Sequence, residues 1–145
     1  MAPKDRGYTM ALATISQEHC TIIRVLIADD SIAIRDSLAS LLKPAGGFQV
    51  VGLAGDGLEV LQKAKDLVPD VVIMDTQMPQ LDGVEATRRI KRELPGVGVL
   101  LFSVFPDYIE EGISAGADGY LMKDCEIEEL FVELKRIATD STAGR

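Results

Sequence analysis

The chain contains no tryptophan, a single histidine and only two cysteines. Cys20 and Cys125 share no CxxC spacing, and His19 stands in a polar lead-in, so no thiolate or imidazole metal cluster can be assembled from them. Two reduced thiols and a solvated histidine are expected. Basic residues are also scarce, 15 Lys and Arg against 23 Asp and Glu, for a net charge of −8. A phosphate backbone requires a cationic surface, so this chain is not expected to touch nucleic acid directly. A cation, or a partner presenting basic groups, suits it better. No apolar run is long enough to span a bilayer, and the cationic-then-apolar order of a secretory leader is missing. The expectation is a cytoplasmic protein without membrane contact. Neither GxxxxGK(S/T) nor a GxGxxG following a strand occurs, which removes the usual nucleotide-phosphate cradles.

What the chain does have is apolar patterning. Hydrophobic residues make up 47% of its 145 positions, enough for one folded domain and too many for a disordered chain. The pattern is organised around residues 71–83, VVIMDTQMPQLDG. Four apolar residues run without a polar break to a lone carboxylate, Asp75. Met78-Pro79 then forces a turn, and Asp82-Gly83 with Glu85 signals a helix start. This reads as a buried strand that delivers one acid to a loop.

The same motif of apolar strand, polar tip and amphipathic helix recurs along the chain. Strands are expected at 22–28, 48–53, 71–74, 97–102 and 119–122. Ser31 and Asp56 are placed to cap the first two helices. Ile34, Leu38, Leu41 and Leu42 mark the buried face of the first, which Lys43-Pro44 and Gly46-Gly47 should stop. The fourth helix, opened by Pro106-Asp107 with Glu110 as a capping-box partner, contains Gly112 and should be the least stable. Asp124 should begin the last helix, with Ile127, Leu130, Phe131, Leu134 and Ala138 inward. Strict alternation of this kind means βαβ units, right-handed crossovers and a five-stranded parallel sheet covered on both faces, a three-layer α/β/α domain. Residues 1–20 and 140–145 are expected to be tails around a domain at 21–139.

Ligands of open parallel sheets bind beyond the carboxyl ends of the strands. There the first strand offers Asp29 and Asp30, the third Asp75, the fourth Ser103 and the fifth Lys123. Carboxylates gathered within a few ångströms repel one another, and one lysine does not neutralise three of them. A hard divalent ion with oxygen ligands, Mg²⁺ before others, would balance the site. A carboxylate beside a metal, a lysine and a hydroxyl is suited to receiving a phosphoryl group. The acidic run Glu126, Glu128, Glu129 reads instead as a solvated helix start.

Taken together, Asp29-Asp30, Asp75 with Met78-Pro79 and Asp82-Gly83, Ser103, and Tyr120-Leu121-Met122-Lys123 resemble the receiver domain of two-component response regulators, the CheY-like family. LFSV and GADGYLMKD are most similar to its NarL/FixJ-type subgroup, whose members usually carry a C-terminal helix-turn-helix domain. The resemblance implies a flavodoxin-like strand order 2-1-3-4-5 with five helices. It implies Asp75 as phosphoacceptor, served by a sensor histidine kinase or a phosphotransfer protein. It assigns Mg²⁺ to Asp30 directly, to Asp29 mainly through water, and to Asp75 and the backbone carbonyl of Gln77. Lys123 would pair with Asp75 and then with the phosphoryl group, Ser103 would bond a phosphoryl oxygen, and Tyr120 would turn inward. The fourth helix, fifth strand and fifth helix would form the reporting face and a surface for homodimer formation. The implied role is a switch that controls an output domain or partner, with transcription regulated if a DNA-binding domain follows, rather than a turnover enzyme. The chain departs from the common pattern at Val104, where a small residue is usual, and at Phe105 and Gln77, which flank the pocket.

Two other readings remain open on sequence. One is an interaction module with a vestigial site. The other is an aspartyl-phosphate phosphatase, although such enzymes place a second acid two residues after the nucleophile and this chain has Gln77 there.

Overall fold

In the computed structural model, residues 21–143 are described, with side chains through residue 140. The expected tail at 1–20, with His19 and Cys20, lies outside the described residues. Five strands alternate with five α-helices: β1 (Ile23–Ala28), α1 (Ile32–Ala45), β2 (Phe48–Ala54), α2 (Gly57–Leu67), β3 (Val71–Met74), α3 (Gly83–Glu93), β4 (Gly98–Ser103), α4 (Ile109–Ala115), β5 (Gly119–Met122) and α5 (Ile127–Ala143). A single 3₁₀ turn, Pro106–Tyr108, leads into α4. The sheet is parallel throughout, in the order β2-β1-β3-β4-β5.

Alternation along the central strands divides the core in two, because successive side chains point to opposite faces. Leu26, Val72, Met74, Val99 and Leu101 pack with Val60, Leu61 and Ala64 of α2 and with Ala86 and Ile90 of α3. Val25, Ile27, Val71, Ile73, Leu100 and Phe102 pack on the other face with Leu38 and Leu42 of α1 and with Leu130, Leu134 and Ile137 of α5. The strands read as unbroken apolar runs for this reason: a sheet covered on both sides has no solvent face.

Helix starts follow their caps. Ser31 accepts from the Ile34 N–H, Asp56 from Glu59 and Asp82 from Glu85, each satisfying an otherwise unpaired amide of the first turn. Several expectations are corrected. Pro44 does not end α1; it sits in the last turn, and the helix closes one residue later against Gly46, whose φ is +73°. Leu41 is exposed rather than inward. The capping box at α4 does not form, since neither the 3₁₀ turn nor α4 has a side-chain cap bond. The turn intervenes, so Asp107 lies before α4 rather than at its cap. α5 begins at Ile127, three residues after Asp124, because a turn closed by Cys125 N–H to the Met122 carbonyl occupies the intervening chain. It buries Ile137, absent from the expected face, and continues to Ala143, so residues 140–143 are helical.

Candidate functional site

Register brings the polar tips together. Ala28 of β1 is paired with Met74 of β3, so Asp29 and Asp75, the next residues, leave the sheet side by side. The backbone keeps them there: Asp75 N–H donates to the Ala28 carbonyl at 2.9 Å. Ser103 of β4 is paired with Met122 of β5, and Lys123 N–H donates to the Ser103 carbonyl at 2.9 Å. The ammonium therefore emerges three strands from β1 and two from β3, and reaches back across the crater.

The carboxylates of Asp29, Asp30 and Asp75 each place an oxygen within 4.8 Å of the others. Asp29 and Asp75 are buried and Asp30 is exposed. Lys123 Nζ is 2.6 Å from Asp29 Oδ2 and 3.4 Å from Asp75 Oδ1. It thus bridges both buried acids and lies nearer Asp29, whereas the resemblance pairs it with Asp75. Asp29 Oδ1 also accepts from the Ser31 N–H at 2.9 Å. Arg35 Nη1 donates to the Asp29 carbonyl at 2.8 Å, fixing the turn that presents Asp30. Asp75 accepts from the Gln77 N–H at 3.4 Å.

Burial and the neighbouring charge of Asp29 push the Asp75 carboxyl up from an ordinary 3.8 to about 6, against the opposing pull of Lys123. Two buried acids sharing one ammonium leave Asp75 short of positive charge. The donor set fits Mg²⁺ on chemistry as well as spacing: hard oxygens, a net negative crater and one open, exposed carboxylate. Among the described residues this is the only cluster of three such ligand groups, and the acidic start of α5 does not form another.

A glycine makes the approach possible. A Cβ on Gly83 would run into the Asp75 carbonyl and crowd Thr76, and Gly83 N–H donates to the Thr76 carbonyl at 2.9 Å. Thus α3 starts directly against the backbone that carries the acid.

Ser103 is buried, and its hydroxyl contacts Thr76 Oγ1 at 2.8 Å and both the N–H and the carbonyl of Phe105, at 3.1 and 3.3 Å. None of these partners is Asp75 itself. Tyr120 is half-buried, and its hydroxyl donates to the same Phe105 carbonyl. Val104 and Phe105 are largely exposed, at 55% and 45%. Gln77 Nε2 donates to the Tyr108 hydroxyl at 2.7 Å, bridging the loop after β3 to the turn before α4. Neither Thr76 nor Tyr108 stands out in the sequence. Cys125 is a free thiol whose pKa burial pushes up.

Comparison with known proteins agrees with this geometry. The family model for the response regulator receiver domain matches residues 25–135. The transcriptional regulatory protein LnrK of Bacillus subtilis (strain 168) is 39% identical over 125 residues, covering 85% of this chain and 56% of that protein. The response regulator GacA of Pseudomonas viridiflava is 38% identical over 121 residues, covering 80% of this chain and 55% of that one. The chain therefore spans about half the length of these relatives. The response regulator domain of Thermotoga maritima CheB superposes with a TM-score of 0.76 at 31% identity, covering 81% of this chain and 97% of that one. A DNA-binding response regulator of the LuxR family from Staphylococcus aureus gives a TM-score of 0.76 at 27% identity, covering 81% and 99%. With its crater of strand-tip acids, its 2-1-3-4-5 sheet and these relatives, the chain belongs to the response regulator receiver domains of two-component systems.

Proposed function

We propose that this receiver is a phosphorylation-controlled switch in which Asp75 accepts a phosphoryl group from the phosphohistidine of a sensor histidine kinase or phosphotransfer protein. The observation that carries the reading is the convergence of Asp29, Asp30 and Asp75 within 4.8 Å, with Lys123 reaching both buried acids. A carboxylate oxygen of Asp75 forms the new O–P bond while the imidazole N–P bond breaks and the histidine leaves. Mg²⁺, when bound by Asp29, Asp30, Asp75 and the Gln77 carbonyl, supplies charge neutralisation at the phosphoryl oxygens. Lys123 exchanges its carboxylate contact for a phosphoryl oxygen, which a compact ammonium on a flexible stem allows. Ser103 donates a hydrogen bond from its hydroxyl to another phosphoryl oxygen and draws the loop after β4 inward. Tyr120, released from Phe105, fills the space. The reporting face is α4, β5 and α5, offered to an output domain, to a partner or to a second copy of the chain. Transcriptional control is proposed because relatives such as LnrK are transcriptional regulators, and the expected compartment is the cytoplasm. Nothing in this scheme turns over: the chain is a substrate and switch, and Gln77, hydrogen-bonded to Tyr108, offers no proton for a phosphatase leaving group.

The test is labelling by a small phosphodonor with Mg²⁺. The wild-type chain should acquire one phosphoryl group with the base and hydroxylamine lability of an acyl phosphate, and Asp75→Asn should acquire none. Undiminished labelling of the variant at another residue would contradict the assignment.

A further inference from the structure

The hydroxyl of Ser103 is already fully engaged. It has one proton to give and two lone pairs to receive with. Thr76 Oγ1 lies 2.8 Å away, Phe105 N–H donates to it at 3.1 Å, and its proton faces the Phe105 carbonyl at 3.3 Å. The Tyr120 hydroxyl donates to that same carbonyl. Thr76 and Ser103 are each 1% exposed, so no water competes for the contact and a hydrogen bond there counts in full.

Valine would fill the space of Thr76 with the same shape. What threonine adds is the hydroxyl, and the hydroxyl binds Ser103. This bond joins the ends of β3 and β4, one residue from Asp75 and at the base of the loop that carries Phe105. On the reading that Asp75 takes a phosphoryl group, Ser103 must turn toward it and release some of its present partners.

We propose that Thr76 is a positioning residue that latches Ser103 in the resting arrangement, so that the chain Thr76–Ser103–Phe105–Tyr120 sets how much differential binding the phosphoryl group must supply to throw the switch. A ligand moves a two-state equilibrium only by its preference between the states, and a bond present in the resting state alone raises the requirement. One neutral buried hydrogen bond corresponds to about three- to tenfold in affinity.

The probe is beryllofluoride, a tetrahedral phosphoryl mimic, titrated with Mg²⁺ present and followed by the amide signals of Phe105, Tyr120 and Lys123. Thr76→Val should bind about three- to tenfold tighter than wild type. Before ligand is added, its Phe105 and Tyr120 signals should already be displaced toward the bound positions. Thr76→Ala, which removes the hydroxyl without risk of crowding, should act in the same direction, and Thr76→Ser should resemble wild type. In a Ser103→Ala background, Thr76→Val should change nothing further, a result that a merely structural role for Thr76 would not give. Unchanged or weaker binding by both Thr76→Val and Thr76→Ala overturns the latch, as does an effect of full size in the Ser103→Ala background. A wild-type chain that binds no beryllofluoride sinks the phosphoacceptor reading itself, and the latch with it. A wild type that binds, with variants that do not differ from it, sinks the latch alone.

Discussion

Asp75 is held under tension between its surroundings and its chemistry. Burial and Asp29 raise its pKa to about 6, well above its ordinary 3.8. The folded chain therefore binds this proton more tightly than the unfolded chain does. The sign follows: Asp75 favours the fold below about pH 4, its contribution falls as pH rises through 6, and at neutral pH it is a net cost without metal. Asp75→Asn should accordingly raise the metal-free unfolding free energy at pH 7 by roughly 1–3 kcal/mol, from about 1.4 kcal/mol per pKa unit. The gain should vanish near pH 4. Urea unfolding at the two pH values checks it, and a variant destabilised at pH 7 would show that Lys123 outweighs burial. Gly83→Ala should destabilise by more than its helix propensity would suggest, since the Asp75 carbonyl must move. Chemical denaturation would measure that loss, and the expected size is at least about 2 kcal/mol, as for other overpacked sites. The acids and Lys123 were legible in the sequence because each stands at the end of an apolar run, where a charge is otherwise unexplained. Thr76 was not, because a threonine after a strand is ordinary, and only the pairing of β3 with β4 reveals that its hydroxyl meets Ser103. The bridge from Gln77 to Tyr108 spans 31 positions between two loops and leaves no periodic trace.

The elements differ in how firmly they are held. α3 has its Asp82 cap, buried Val84, Ala86, Thr87 and Ile90, and Glu85 paired with both Arg88 and Arg89. α4 has seven residues, no side-chain cap, Gly112 against Leu101 and an exposed Ile113. A helix this short gains little from its own hydrogen bonds. Amides of α4 should exchange with solvent at least about tenfold faster than those of α3, a gap that reports local opening. Equal protection of the two helices would contradict this ordering. On the opposite face, Leu42→Ala should cost about 2–5 kcal/mol in equilibrium unfolding, because Leu42 is fully buried and cannot be replaced by collapse. Periodicity made the helices and their order readable, and it was weakest at boundaries. Pro44 lies in the final turn of α1 with one helical residue after it, and the turn closed between Met122 and Cys125 delays α5 by three residues.

At the scale of the whole molecule, the net charge of −8 bears on the proposed contact with a second copy through α4, β5 and α5. α4 exposes Ile113 with Glu110 and Glu111, and α5 exposes Val132 with Glu128 and Glu129, while Glu133 is tied to Arg136. A two-fold contact sets each patch against itself, and like charges then oppose the apolar gain. Dimer formation through this face should strengthen as salt rises from about 0.1 M to 1 M, over which the screening length falls from about 10 to 3 Å. Sedimentation at the two salt concentrations measures it, and a dimer that weakens with salt would place the contact elsewhere. The crater was expected from the polar residues at the strand tips, whereas the strand order came with the resemblance to receiver domains, since alternation alone gives a parallel sheet without fixing which strands are neighbours. The division of Lys123 between Asp29 and Asp75 required coordinates, since it depends on distances of under an ångström's difference. The central claim is that these tips form one magnesium-dependent site. Its most direct test is an amide-resolved Mg²⁺ titration of the wild-type chain and of Asp30→Asn. The account predicts saturable shifts at residues 29–31, 75–77 and 123 that the substitution abolishes. Shifts confined to the acidic start of α5, or none at all, would contradict it.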